Sequence, residues 1–130
     1  MPRLMSVAMT TQAVIERRKT VTRRKGWLML KPGDRLTLCR KVMGRQGAPL
    51  VRLAEVEVVR VWRESLLVLL GEPERSIRSF VRARAEVERE GFPGMDPREF
   101  VQRFFVDAQG MSPDDEVTRI EWRYLDESEG

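Results

Sequence analysis

Residues 52–63 read RLAEVEVVRVWR, and the fold turns on them. Ala54, Val56 and Val58 share one face of an extended chain, opposite Glu55 and Glu57, because strand side chains alternate. The phase then slips by one residue, and Val59 and Val61 carry the apolar pattern onward. Such a slip places a β-bulge at the step from Val58 to Val59. Bulges bend the strand that holds them, so this strand belongs in a strongly curved sheet.

Upstream, residues 3–8 read as a short strand. Thr10 or Thr11 caps a short helix running through Ile15 to Arg18, with Ala13 and Val14 inward. Residues 20–24 alternate and are rich in β-formers. Lys31-Pro32-Gly33-Asp34 has proline and glycine in type II turn order. Residues 34–42 alternate again, with Leu36 and Leu38 on one face, and 43–50 form a Gly-rich loop.

Downstream, residues 66–70 are a short apolar run. Residues 74–89 read as a helix with Ile77, Phe80, Val81 and Ala85 on one side. Gly91-Phe92-Pro93-Gly94 breaks it. Asp96-Pro97-Arg98-Glu99 starts another helix, with an Asp cap, Pro at the first position and Glu three residues after the cap. Phe100, Val101, Phe104, Phe105 and Ala108 form a helical-period stripe, read as core. Residues 117–125 close the chain as a strand in which Ile120, Trp122 and Tyr124 alternate with charges. Trp122 is assigned to the core. The pattern predicts an α+β domain over residues 1–125 and an acidic tail at 126–130. Without β-α-β alternation, the strands form a small, bent, mostly antiparallel sheet or open barrel, flanked by two or three helices.

Composition narrows the chemistry. The 130 residues contain no histidine and one cysteine, Cys39. An intramolecular disulfide is excluded, as is a serine or cysteine nucleophile activated by histidine. Zinc loses its usual ligands; the sequence points to no cofactor and no dedicated metal centre, with carboxylate-bound magnesium left open. The first residues, MPRLMSVAMTTQ, lack a signal-peptide pattern, and no stretch approaches the ~20 apolar residues of a membrane span. A cytoplasmic location is the expectation; the oligomeric state is open.

The net charge of +4 is unevenly spread. Residues 1–63 carry 15 Lys/Arg against 4 Asp/Glu, and residues 64–130 carry 9 against 16. Six of the nine residues 17–25 are basic: Arg17, Arg18, Lys19, Arg23, Arg24 and Lys25. A concentrated basic face attracts phosphate backbones. The competing reading is that the two halves neutralise each other across the fold. Trp27, beside the basic run, and Trp62 are candidates for stacking on bases, or else packing residues.

Three segments together resemble the ASCH family of the PUA-like superfamily. Glu16-Arg17-Arg18-Lys19-Thr20-Val21-Thr22-Arg23-Arg24 is similar to that family's G-x-K-T-x-x-x-R signature, with Arg17 or Arg18 in place of its glycine. Leu30-Lys31-Pro32-Gly33-Asp34 is similar to its L-K-P-G-D turn. Val117-Thr118-Arg119-Ile120-Glu121-Trp122 is similar to its closing strand. The resemblance implies a PUA-like β-barrel with a cleft between barrel and helices, and a role in binding RNA or nucleotides. One bacterial branch hydrolyses N4-acetylcytidine to cytidine with a Lys, a Thr three residues later and a distant Glu. Lys19, Thr22 and Glu90 match those positions. A noncatalytic RNA-binding module is the alternative, and a ribonuclease with Glu88 and Glu90 on magnesium is a third reading.

The proposed chemistry sets a geometric condition. A threonine hydroxyl needs a base, and a lysine serves only if its pKa is lowered. Nearby arginines and desolvation both act that way. In a strand, Lys19 and Thr22 would point to opposite faces because their separation is odd. The pair can meet only if Lys19 sits on the turn before the strand. Glu90 would then hold the substrate amine or carry a proton to the leaving nitrogen.

Overall fold

The computed structural model describes residues 3–41, 50–71 and 76–125. Most of the expected Gly-rich loop, the start of the helix expected from residue 74 and the expected acidic tail lie outside them. Five strands form one sheet: β1 (Arg3–Ser6), β2 (Val21–Arg24), β3 (Arg35–Lys41), β4 (Leu50–Ser65) and β5 (Glu116–Tyr124), in the order β1-β3-β4-β5-β2. The β1–β3 pair is parallel and the other three pairs are antiparallel. The sheet is open, as the residue pattern allowed, and does not close into the barrel the resemblance implies, because β1 and β2 are edge strands that do not pair with each other.

β4 is the long spine of the sheet, and its bulge falls where the alternation slips. Val58 pairs with Trp122 and Arg60 with Glu121, which leaves Val59 unpaired. A second register shift lies between Leu38 and Cys39. The Lys31–Asp34 turn docks beside the first bulge: Gly33 N–H donates to Val58 O at 2.8 Å, and Val58 N–H to Asp34 O at 2.8 Å. Gly33 has φ +96°, the left-handed value a type II turn requires at that position.

One core cluster on the sheet buries Met5, Leu36, Leu38, Val56, Val58, Ile120, Trp122 and Tyr124, with Val14 of α1 (Thr11–Ile15) among them. A second core joins α2 (Ile77–Arg89), α3 (Pro97–Val101) and a 3-10 turn at Leu66–Leu69. It buries Leu66, Leu69, Ala83, Val87, Phe100, Val101 and Phe105. Each buried Leu, Val or Phe among them contributes roughly 1.5–3 kcal/mol by leaving water. Asp96 caps α3 as expected, its carboxylate accepting from Arg98 N–H at 2.8 Å, with Pro97 next.

Two helical faces differ from expectation. On α2, Ile77 and Val81 are 63% and 59% exposed, and Ala85 is exposed too. The inward face is instead Ala83, Val87 and the carboxylates of Glu86 and Glu90, with Phe80 half-buried. Buried cations described below draw those carboxylates in and override the apolar periodicity. After α3 the chain widens into a π-helix at Gln102–Asp107. More residues per turn delay the return of the inward face, so Ala108 is exposed and Met111 is buried in its place.

Candidate functional site

α1 ends in a turn that sets the position of Lys19. Arg17 N–H donates to Val14 O and Arg18 N–H to Ala13 O, the paired bonds of a Schellman motif. Such a motif needs a left-handed residue, and Arg17 takes φ 62°. Arg17 is thus left-handed at the place where the signature it resembles has glycine. Its side chain donates to Val14 O at 3.0 Å and lies over the Tyr124 ring at 5.0 Å.

Lys19 therefore sits on the connection before β2, not in the strand. This satisfies the condition on its odd separation from Thr22, and both residues line one cavity with Glu90. The main chain of Lys19 is held by Trp122, whose indole N–H donates to its carbonyl at 3.0 Å, and by the Tyr124 hydroxyl. Glu90 arrives at the C-terminal end of α2. Gly91 follows with φ +107°, and a Cβ there would come within 3.1 Å of both Ala13 and Thr10. Only glycine permits this close approach of α2 to α1.

Lys19 is 3% exposed. Its ammonium donates to Glu90 O at 2.6 Å and to Glu90 Oε1 at 3.3 Å. Burial pulls the Lys19 pKa down; the Glu90 carboxylate opposes this, and Arg24 and Arg23 add to the lowering. Thr22 Oγ1 accepts from Arg24 Nε at 3.1 Å. Among the described residues, no hydrogen bond joins Lys19 to Thr22. Arg24 also donates to Ser6 O at 2.7 Å, so its side chain crosses from β2 to β1, the two edges of the open sheet. The cavity lies at this seam, where the sheet fails to close.

The cavity holds about 330 Å³, within the range of small-molecule sites. Lys19, Thr22, Arg24 and Glu90 give it a polar end. Its apolar wall is Phe92, Phe100, Phe104 and Phe105, with Phe92 stacked on Phe104 at 4.8 Å. The aromatic stripe read as core thus does two things: Phe100 and Phe105 are buried, and the same rings line the cavity.

The basic run is not one cationic face. The Arg23 side chain is 1% exposed and bound to Glu64, Glu86 and Glu90, which corrects its assignment to phosphate. Arg119, also buried, joins Glu86 at 2.6 Å and Glu121 at 3.0 Å. Arg18 pairs with Glu16 at 2.6 Å on the surface, and Lys25 is exposed. The two charge-biased halves thus neutralise each other in part, inside the fold. Burial pushes the Glu86 carboxyl up, but the bonds from Arg119 and Arg23 outweigh it and hold the pKa at about 2. Sequence patterns gave no signal for this network, because its members lie on three strands and a helix.

The two tryptophans differ. Trp27 is half-buried against the first core. Trp62 is 42% exposed, with the Arg119 guanidinium 4.4 Å from its ring centre and its indole N–H on Glu64 Oε1 at 2.7 Å. Glu88 is exposed and lies outside this cavity, while Glu90 is committed to Lys19 and Arg23. The pair does not make a magnesium site. Among the described residues, no cluster of three or more Cys, Asp or Glu side chains is arranged to hold a metal ion. No helix among them is long and apolar enough to cross a membrane.

No family model and no curated protein matches the sequence. Solved structures do match the fold. The ASCH protein of Zymomonas mobilis aligns with a TM-score of 0.54 at 12% identity, over 92% of this chain and 65% of that one. This chain therefore spans slightly under two thirds of that protein. A protein of Enterococcus faecalis V583 from the family DUF984 aligns with a TM-score of 0.62 at 16% identity, over 96% of this chain and 80% of that one. At such identities the likeness is one of fold. This chain shares the fold of the Zymomonas mobilis ASCH protein and of the DUF984 protein.

Proposed function

We propose that this chain is an ASCH-type protein that takes a nucleoside or an RNA base into the seam cavity and hydrolyses N4-acetylcytidine to cytidine and acetate. One observation carries the reading: a buried lysine with a depressed pKa, a threonine and a glutamate line a single aromatic-walled cavity. Neutral Lys19 takes the Thr22 hydroxyl proton as Thr22 Oγ1 attacks the acyl carbon. Thr22 already accepts a hydrogen bond from Arg24, so its own proton is the one left to give. The carbon–N4 bond breaks, and the proton passes to the leaving nitrogen with Glu90 as relay. Water then cleaves the acetyl-threonine ester. The phenylalanine wall suits a flat base, because aromatic faces stack in offset geometry.

A noncatalytic RNA-binding module remains the second reading, and one observation favours it. Both hydrogen bonds of Lys19 go to Glu90, one of them to a main-chain oxygen at the end of α2. Helix ends leave such carbonyls without internal partners and attract cations. Incubation with N4-acetylcytidine decides between them. Release of cytidine at a rate abolished by Thr22→Ala supports the hydrolase; no release across several N4-acylcytidines supports the binder.

A further inference from the structure

Arg23 is the point where three carboxylates meet. Its Nε donates to Glu64 Oε2 at 2.8 Å, its Nη1 to Glu90 Oε2 at 3.0 Å and its Nη2 to Glu86. A guanidinium presents its donors in one rigid plane. Fixing two nitrogens on Glu64 and Glu86 therefore fixes the direction of the third. That third nitrogen takes Glu90 Oε2, which leaves Oε1 toward Lys19.

We propose that Arg23 is a positioning residue: anchored by Glu64 and Glu86, it sets the orientation of Glu90 and, through it, the place and proton affinity of the Lys19 amine. The activity arm of this inference rests on the hydrolase reading; the titration arm does not. Lys19 is faced by Glu90, Arg24 and Arg23. Arg23 is faced by Glu64 from β4, by Glu86 and Glu90 from α2, and by Arg119 from β5. Removing the charge at Arg23 ends its repulsion of Lys19. It also takes one cation away from Glu90, whose carboxylate then faces Lys19 and Arg24. Both effects raise the proton affinity of Lys19. A base must be neutral, so the rising limb of the pH–rate profile moves to higher pH.

The test compares Arg23→Gln, Arg23→Lys and Arg119→Gln with the parent chain. Arg119→Gln removes another partner of Glu86 without touching Glu90. Two quantities are read against pH: kcat/KM for N4-acetylcytidine, and the side-chain NMR signal of Lys19. The chain has four lysines, so selective labelling identifies Lys19 as the signal lost in Lys19→Arg. In Arg23→Gln both midpoints should rise by about one pH unit. In Arg23→Lys the charge stays but the fork is lost, so the midpoints should hold while kcat falls roughly tenfold or more at unchanged KM. Arg119→Gln should lower Tm and move neither midpoint. An unmoved Lys19 midpoint in Arg23→Gln, or an equal shift in Arg119→Gln, overturns the positioning role. A moved midpoint in a protein that hydrolyses nothing keeps the role and retires the hydrolase. Should Arg23→Gln not fold, undiminished kcat in Arg23→Lys overturns the proposal by itself.

Discussion

Glu90 meets Lys19 twice, with its main-chain oxygen 2.6 Å from the ammonium and its carboxylate oxygen at 3.3 Å. The main-chain contact does not depend on the side chain at position 90; the carboxylate contact does. Glu90→Gln therefore keeps Lys19 in place and removes the charge that both Lys19 and Arg23 face. Removing one partner of a buried ion pair costs about 3–5 kcal/mol. Urea unfolding of Glu90→Gln should show a loss of that order, together with loss of turnover. A loss under about 1 kcal/mol would mean both that Glu64 and Glu86 suffice as partners for Arg23 and that Lys19 is largely neutral in the folded protein, since an uncharged amine needs no counter-ion.

Lys19 and Thr22 separate enzyme from binder. Thr22→Ala should abolish hydrolysis and leave nucleoside binding nearly intact, because only a hydroxyl and a methyl change. Lys19→Arg should also abolish turnover, since arginine stays protonated and cannot serve as base. In a pure binder, Lys19→Arg retains RNA affinity. Substantial hydrolysis by Lys19→Arg would remove lysine from the role of base.

RNA affinity should report the difference between exposed and buried cations in residues 17–25. Arg18 and Lys25 are exposed, whereas Arg23 is enclosed by carboxylates. If RNA runs along this side, Arg18→Ala with Lys25→Ala should reduce the slope of log affinity against log salt by about one per lost phosphate contact. Arg23→Ala should lower Tm without changing that slope. The reverse result would place the phosphate path at Arg23 and require the network to open on binding.

The strands were legible because their apolar alternation is a local signal. The bulge at Val59 could be read from one phase slip, and the turn at Gly33 from its Pro-Gly order. The open seam could not be read: whether β1 and β2 pair is decided by chain segments far apart in sequence, and no local pattern encodes it. Lys19, Thr22 and Glu90 were named through a resemblance, and the structure brings all three to one cavity. The placement of Lys19 depends on a left-handed arginine, a conformation that sequence patterns assign to glycine or asparagine. The face of α2 was misread because hydrophobic periodicity ignores buried carboxylates. Glu86 and Glu90 turn inward to meet Arg23, Arg119 and Lys19, and Ile77 and Val81 are left outside.

That inversion of α2 makes a prediction about acid. The Glu86 carboxyl falls from its ordinary 4.5 to about 2 in the folded chain. The folded state therefore binds this proton less tightly than the unfolded state does. Its contribution is fully present above pH ~5 and is lost as the pH falls from there toward 2. At neutral pH that contribution is at most about 3 kcal/mol. Glu86→Gln should be destabilised at pH 7 by a comparable amount, because Arg119 and Arg23 both lose a charged acceptor. Its stability should also vary less with pH below 5 than that of the parent chain. Chemical unfolding at pH 7, 4 and 2.5 checks this, with the two proteins converging at the acid end. Parallel curves at constant separation would assign the acid sensitivity to other carboxylates and leave Glu86 without the role that Arg23 and Arg119 imply.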